Sequence, residues 1–397
     1  MKGNRPVLTD VSARPKAPSA RSGWFSDWTS FWFSAIQPSG LHWLRILGGT
    51  VFLFWLLPFA GHQMELFGLA GWADKQAYLE MTQAPGWSLV FLCGDSATLV
   101  QVLFWEAIIV FLLFTLGIAA RTISVLTWAL VISFMANPAT NFDADYLLVM
   151  LAFYLMIGYV LLGQWNGQPS IVNRFGFVAA LGVGALIGGG IGFTVGLGTG
   201  AVVGIAVALV IGVLAEMVER RGSFLSPWGL ARNAGPSYAA NLALRLIQVH
   251  FAIVVLTSGL HKLQFSDWWS GVALWYPLHN PFTITAERLR SEAQNADATL
   301  FFLGVAQYIM LAWQLTFPFF AWRPRWRWLV LSGGVLAWIG SIVIYGEPLF
   351  GPIYLIGCLS FLPPSVWQAL TDGIANLVPG AAGSERDQGV KKVSVRA

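Results

Sequence analysis

Apolar runs long enough to cross a lipid bilayer recur along the whole chain, and no other feature of the sequence constrains the fold so strongly. A helix of about 20 apolar residues covers the roughly 30 Å hydrocarbon core of a bilayer. Only 11% of the residues are charged, less than half of the share, about a quarter, that a soluble globular protein uses. The sequence therefore predicts an all-α, polytopic membrane helix bundle, with runs near 41–60, 98–119, 122–138, 144–163, 239–261, 299–321, 328–345 and 349–363.

A further apolar stretch, residues 176–215, is set apart by its 12 glycines. It is long enough to cross the bilayer twice with a turn near residues 193–199. We predict a tight helical hairpin, because small residues let two helix backbones approach closely. With it, the bundle has about 8–10 transmembrane helices. The hairpin is expected either to serve only packing or to bind another membrane protein.

The basic residues sort to one side of the predicted spans. Outside the spans, 17 Lys and Arg residues fall on one side, and the other side holds only Lys75, Lys262, Arg288 and Arg290. Cytoplasmic loops carry the excess of Lys and Arg in membrane proteins. This predicts a multi-pass protein of the cell (inner) membrane with both termini cytoplasmic and Lys262 on the exoplasmic side.

The segments outside the spans are expected to be tails or interfacial pieces. Residues 1–23 read as a disordered basic cytoplasmic tail, because five Lys and Arg residues lie among Pro and Ser. Residues 24–366 form the predicted membrane domain, which starts with an interfacial aromatic helix. Residues 367–397 are expected to be a cytoplasmic tail. The long outer segments near 61–97 and 262–298 carry aromatic residues suited to interfacial or re-entrant helices.

No motif of the common soluble enzyme classes occurs in the chain, so the candidates for chemistry are polar residues within or beside the spans. The two cysteines, Cys93 and Cys358, have no metal-ligand or CxxC spacing. We expect no metal site and no nucleic-acid partner, and membrane lipids are the expected surroundings.

A charged side chain within hydrocarbon costs at least about 2.5–3.5 kcal/mol, so it usually faces the protein interior and has a partner. Glu106 lies too deep to reach water and is predicted to pair with Arg245 or His250, or to be protonated. For Arg45 and Arg245, a snorkelling or structural role is the alternative to a functional one. His250 is expected to be either a neutral core histidine or part of a site.

Lys262 is the sharpest candidate, because it ends an apolar run. An amine held in a low-dielectric pocket can act as a base, whereas the same amine at the membrane interface is an inert anchor. His261 beside it points about 100° away around a helix. In the outer loop, one of Asp143 and Asp145 is expected to cap the next helix, and the other to face Lys262 or an outer cavity.

The chain resembles the HTTM-domain family, whose members include the membrane domain of vitamin K-dependent gamma-carboxylase. The resemblance covers about 24–60, 98–163 and 238–366 and leaves out the Gly-rich hairpin, which looks like an insertion. It rests on Arg45 with Gly48, Gly117-Ile118-Ala119-Ala120-Arg121, Asn137-Pro138 followed by Asp145-Tyr146-Leu147, Ser258-Gly259-Leu260-His261-Lys262-Leu263 with Trp268 or Trp269 and Gly271, and the segment from Pro352 to Phe361-Leu362-Pro363-Pro364.

The resemblance implies a reaction. In the carboxylase, a lysine of the corresponding motif deprotonates reduced vitamin K. The alkoxide of the oxygenated quinone that results then abstracts a glutamate proton, and CO2 is the second substrate. Lys262 is then the expected base, with Asp145 and His261 as further catalytic residues. A lipid (hydro)quinone is the expected cofactor, and the candidate substrate-binding residues are Trp268, Trp269, Glu106, His250 and Arg245.

Three functions remain open from the sequence. The first is a carboxylase-like membrane enzyme acting on a lipid quinol or another lipid-soluble small molecule. The second is a non-enzymatic scaffold or accessory subunit that binds a membrane complex through the hairpin. The third is a transporter with Glu106, Arg245 and His250 along its path, although no inverted repeat is evident.

Overall fold

The computed structural model describes residues 23–68, 71, 80, 88–137, 146–165, 171–219, 236–279, 284–346 and 350–377. Within these ranges the chain is 84% helical and has no β-strand, which confirms the all-α fold. Its α-helices are α1 (Trp24–Phe33), α2 (Ser39–Leu56), α3 (Gln63–Phe67), α4 (Leu89–Cys93), α5 (Ala97–Leu116), α6 (Ala120–Met135), α7 (Tyr146–Trp165), α8 (Ile171–Thr194), α9 (Leu197–Glu219), α10 (Tyr238–Lys262), α11 (Ser266–Ser270), α12 (Ala286–Gln294), α13 (Asp297–Phe320), α14 (Pro324–Tyr345), α15 (Phe350–Leu359) and α16 (Pro364–Leu377).

The long apolar helices make this a multi-pass membrane protein. Seven helices of the described chain, α2, α5, α8, α9, α10, α13 and α14, are long and apolar enough to cross a membrane. The bent pair α15 and α16 adds an eighth crossing if it counts as one span, and α6 and α7 are shorter apolar helices. With these two included, the number of crossings reaches the upper end of the range that the sequence predicts.

Helices α8 and α9 form the hairpin that the glycines predict. The turn between them is Val195-Gly196, where Gly196 has a φ of +141°. A Cβ added at Gly188 would lie 2.6 Å from the carbonyl oxygen of Gly200, so the two helices meet backbone to backbone. Only glycine permits this approach, since any side chain there would have to displace the facing helix.

The chain bends sharply near its C-terminal end. The axes of α15 and α16 differ by 109°. Pro363 lies between the two helices and Pro364 is the first residue of α16, because a residue that precedes proline avoids the helical conformation whereas proline itself is tolerated at a helix start. The apolar run expected over 349–363 thus holds α15 and ends at this bend. Trp367 of α16 is buried and stacks on Trp43 of α2, with ring centroids 6.3 Å apart. The packed body thus continues past residue 366, where the sequence predicts a tail.

The two ends of the bundle are named here after residues at the two ends of α10. At one end, α1 lies against the start of α10: Asn241 Nδ2 donates to the carbonyl oxygen of Phe31 at 2.9 Å. We call this the Arg245 end, because the guanidinium of Arg245 lies 4.4 Å from the centre of the Phe31 ring. The opposite end, where α10 stops and α11 begins, is the Lys262 end. Aromatic side chains of α1 are strongly exposed, as expected for an interfacial helix.

Arg45 lies in the core of the bundle and not at its surface. It is 1% exposed, and its guanidinium carbon lies 5.7 Å from the centre of the Tyr159 ring. The hydroxyl of Tyr159 is 2.7 Å from Nδ1 of the buried His42. Arg45 is therefore part of an interior polar cluster, and the snorkelling alternative for it is wrong.

Candidate functional site

The Lys262 amine is held at the C-terminal end of α10. Ser258 stands one turn earlier on the same helix face, and Lys262 Nζ donates a 2.7 Å hydrogen bond to its Oγ. The chain then turns back into the short helix α11, which brings Trp268 beside the amine. Nζ lies 5.2 Å from the centre of the Trp268 ring, within the range of a cation–π interaction. The lysine side chain is only partly exposed.

Helix α13 fixes the position of α11. The fully buried Gln307 donates from Nε2 to the carbonyl oxygens of Asp267, at 3.1 Å, and Trp268, at 2.7 Å. The hydroxyl of Tyr308 donates to the carbonyl oxygen of Trp269 at 2.6 Å. Two neighbouring residues of one helix thus hold the backbone that carries the indole beneath Lys262.

Among the described residues, the neighbours of the Lys262 amine are neutral. No carboxylate of these residues lies within 4.0 Å of Nζ, and its contacts are the hydroxyl of Ser258, the carbonyl oxygen of Ser258 at 3.5 Å and the indole face of Trp268. A hydroxyl and a ring quadrupole solvate an ammonium less well than water does. No ion pair with a described residue therefore has to break before the amine receives an acidic hydroxyl of a ligand.

His261 and Trp269 are exposed beside this site. The His261 ring makes an edge contact with Phe265, with ring centroids 5.1 Å apart. The Trp269 side chain is 62% exposed, and its Nε1 donates to the carbonyl oxygen of Leu263 at 2.8 Å. Asp145, the third predicted catalytic residue, lies outside the described residues, so its place beside Lys262 stays a prediction.

The structure does not bring the other predicted site residues to Lys262. On α10, His250 lies about 18 Å and Arg245 about 25 Å from Lys262 along the helix axis, at a rise of 1.5 Å per residue. His250 Nδ1 is 2.9 Å from the hydroxyl of Tyr154 on α7, and Arg245 Nη1 donates to Gln248 Oε1 at 3.0 Å. Lys262, His250 and Arg245 therefore have different neighbours and do not form one site.

Glu106 has a different neighbour from the one expected. Neither Arg245 nor His250 forms an ion pair with it in the described part of the chain. The pairing alternative is therefore wrong, and the alternative that Glu106 is protonated stays a prediction. Glu106 lies instead near Cys93 of α4, where burial and then the Glu106 carboxylate raise the pKa of the thiol to about 12. Glu106 thus belongs to the region where α4 meets the hairpin, since Cys93 Sγ contacts the carbonyl oxygen of Gly198.

Gln307 and Ser258 were not assigned to the site from the sequence. Gln307 had a readable signal, because it interrupts an otherwise apolar helix and recurs seven residues later as Gln314, on nearly the same face. Polar side chains of this kind usually bond across helices in membranes. Over the described ranges, no group of three or more His, Cys, Asp or Glu residues is placed to hold a metal ion.

The fold and this site define a class: a multi-pass helical membrane protein with a partly buried amine at one end of its bundle. No family model matches the chain, and no match was found among curated proteins or among solved structures.

Proposed function

We propose that this chain is a membrane enzyme of the HTTM class in which Lys262 acts as a base on a lipid-soluble (hydro)quinone. The observation that carries the proposal is the geometry of the amine, which rests on Ser258 Oγ at 2.7 Å and on the Trp268 ring at 5.2 Å. The lysine stands where the resemblance places the catalytic base.

The residues present suit a hydroquinone. Trp268 offers an aromatic face, Trp269 a second indole that is largely exposed, and Lys262 an amine for an acidic hydroxyl. A hydroquinone supplies that hydroxyl and, once deprotonated, reacts with dioxygen. The chain's own residues bind and orient the ring through the indoles and take up its proton at Lys262 Nζ.

Ser258 has a defined role in this scheme. Its Oγ accepts from the amine in the protonated state, and its hydroxyl can rotate to donate to the same nitrogen once the proton has left. Ser258 therefore keeps the amine in place through both protonation states, and Gln307 keeps Trp268 in place from the other side.

The sorting of Lys and Arg supports an orientation with the Lys262 end at the exoplasmic face and both termini in the cytoplasm of a cell whose inner membrane holds the protein. A site at that level opens to the headgroup region of the outer leaflet. A quinol with a long apolar tail reaches it from the bilayer without crossing water.

Photo-crosslinking with a menaquinone analogue in native lipid tests the proposal. Wild type, Lys262→Ala and the matched control Thr257→Ala, whose exposed hydroxyl bonds only to carbonyl oxygens of its own helix turn, are compared after peptide mapping. We expect labelling near Lys262 in wild type and Thr257→Ala and a strong loss in Lys262→Ala. Quinone epoxide formation and CO2 fixation are then measured in the same three proteins, and general-base catalysis is worth about 10²–10⁴-fold in rate.

Absence of labelling near Lys262 in folded wild-type protein, or equal loss in both variants, contradicts the proposal. Either outcome leaves the second candidate, the function as an accessory subunit of a membrane complex. The observation that favours that function is the outward surface of the hairpin, where Leu186 is 78% and Phe193 93% exposed. The transporter hypothesis has less support, because its three residues lie in separate surroundings.

A further inference from the structure

Two arginines meet at the Arg245 end of the bundle, on α10 and at the start of α14. Gln248 Oε1 accepts from Arg245 Nη1 at 3.0 Å and from Trp322 Nε1 at 3.4 Å. Arg327 Nη2 donates to the carbonyl oxygen of the same Trp322 at 3.3 Å. Gln248 and Trp322 thus link the two guanidinium groups, which lie close enough for the charge of Arg327 to act on Arg245.

This pair of positive charges has no anion beside it in the described ranges. Neither arginine forms an ion pair there, and Nε of each is buried without a hydrogen-bond partner among the described atoms. On the adjoining helix α1 the acidic residue is Asp27, which is exposed and more than 4.0 Å from both.

Two guanidinium groups held close together with unsatisfied hydrogen-bond donors destabilise the folded protein unless an anion binds between them. The donors available are those of guanidinium groups, whose planar fork matches the oxygens of a phosphate group. The cluster lies beneath Phe31, whose ring covers Arg245 at 4.4 Å. An anion must therefore approach Arg245 from a side that the Phe31 ring does not cover.

The level of the cluster in the membrane indicates the source of the anion. Trp326 and Trp328 of the first turns of α14 are 44% and 57% exposed, and Trp24 and Trp28 of α1 are exposed as well. Exposed tryptophans gather at the headgroup level of a bilayer. Basic pockets between helices at this level bind phosphate-bearing headgroups.

We infer that Arg245 and Arg327 form a binding site for a phosphate group, supplied by the headgroup of an anionic phospholipid. The site lies at the opposite end of the bundle from Lys262 and goes beyond the proposed function, on which it does not depend. Arg245 is thereby a lipid-binding residue and not a ligand of the quinol.

Thermal unfolding of the full chain, purified in neutral detergent and stripped of lipid, tests this inference. Phosphatidylglycerol, phosphatidylcholine and inorganic phosphate are added separately to wild type, Arg245→Gln, Arg327→Gln and the control Arg325→Gln. Arg325 is an exposed arginine of the same helical turn as Arg327, so its loss changes the net charge equally. A ligand that binds only the folded state raises the unfolding temperature.

We expect phosphatidylglycerol to raise the unfolding temperature of wild type and Arg325→Gln and to raise that of the other two variants by less than half as much. Phosphatidylcholine should have a smaller effect in all four proteins. If inorganic phosphate alone reproduces the increase, the phosphate site is supported and its source is the free ion. Equal loss in Arg325→Gln, which indicates a diffuse basic surface, overturns the inference.

Native mass spectrometry of the wild type covers the case in which Arg245→Gln does not fold. Phosphatidylglycerol should remain bound when phosphatidylcholine is in excess, and Arg245→Lys, which keeps the charge but loses the fork, should retain it more weakly. Wild-type protein that retains no phosphatidylglycerol under these conditions contradicts the site.

Discussion

The guanidinium of Arg45 occupies the space that a side chain at Gly117 would need: a Cβ added at Gly117 would lie 2.5 Å from Cζ of Arg45. Gly117 ends α5 in the left-handed conformation, with a φ of +77°, which glycine adopts at least cost. The guanidinium meets the carbonyl end of α5, where the helix dipole favours a positive charge. Because Gly117 has no side chain, the buried guanidinium of Arg45 can reach the end of α5.

Gly117→Ala should therefore destabilise the protein more than its backbone conformation alone requires. A non-glycine residue in the left-handed region costs about 1–3 kcal/mol, and the collision with Arg45 adds to this. Thermal unfolding in detergent measures the loss. The control is Gly346→Ala, which has a φ of +68° but open space around the added Cβ. An equal loss in the two variants would show that the contact with Arg45 contributes nothing.

Ser258→Ala should free the Lys262 amine. The hydrogen bond between Nζ and Ser258 Oγ is worth about 1 kcal/mol net, or roughly a fivefold change in an equilibrium. We expect an amine-directed acylating reagent to modify Lys262 severalfold faster in this variant, as measured by peptide mass spectrometry. Thr257→Ala serves as the control, because the Thr257 hydroxyl is exposed and bonds only to carbonyl oxygens of its own helix turn. Unchanged modification in Ser258→Ala would contradict this account of the amine.

Gln307→Leu should loosen α11 and move Trp268 away from Lys262. The variant removes two hydrogen bonds to backbone carbonyls. The carbonyl oxygen of Asp267 still accepts from Ser270 Oγ and from the Val272 N–H, whereas that of Trp268 loses its bond to Gln307, and an unsatisfied buried group costs about 1–3 kcal/mol. We expect quinone labelling at Lys262 to fall while the rest of the bundle stays folded, as judged by circular dichroism. Tyr308→Phe, which removes a single bond at a more exposed position, should lower the labelling less. Full labelling in Gln307→Leu would mean that α11 is held by other contacts.

The rate at which Cys93 is alkylated shows whether the hairpin is packed against α4. In a Cys358→Ala background Cys93 is the only cysteine of the chain, and its pKa of about 12 keeps it protonated and unreactive at neutral pH. Alkylation should be slow at pH 7 and accelerate as the pH rises toward 12, because the thiolate is the reactive form. Gly198→Leu places a side chain against the backbone of Leu92 and Cys93 and should accelerate alkylation at every pH.

Gly189→Leu is the matched control for that experiment, because the space around its added Cβ is open. It should leave the alkylation rate of Cys93 close to that of the parent protein. If Gly198→Leu and Gly189→Leu behave alike, the hairpin does not depend on the close approach of Gly198 to α4.

The helical class, the crossings and the hairpin could be predicted from the sequence because their causes are local. An apolar run of sufficient length crosses a bilayer as a helix whatever its neighbours are. The glycines of 176–215 likewise indicate a close helix pair, and the turn at Val195-Gly196 falls where they place it. The bend at Pro363 and Pro364 was missed, because the apolar run continues up to it and hydropathy does not register a change of direction.

The partners of the polar residues were decided by the tertiary structure. Glu106 was expected beside Arg245 or His250 and lies near Cys93, while Gln307, which no motif marks, holds the backbone at Trp268. The sequence determined that Lys262 ends a membrane helix with Ser258 one turn before it. Only the tertiary structure decided which side chains meet across helices, because this depends on the rotation of each helix about its axis. Hydropathy leaves that rotation open, since the faces toward lipid and toward protein are equally apolar.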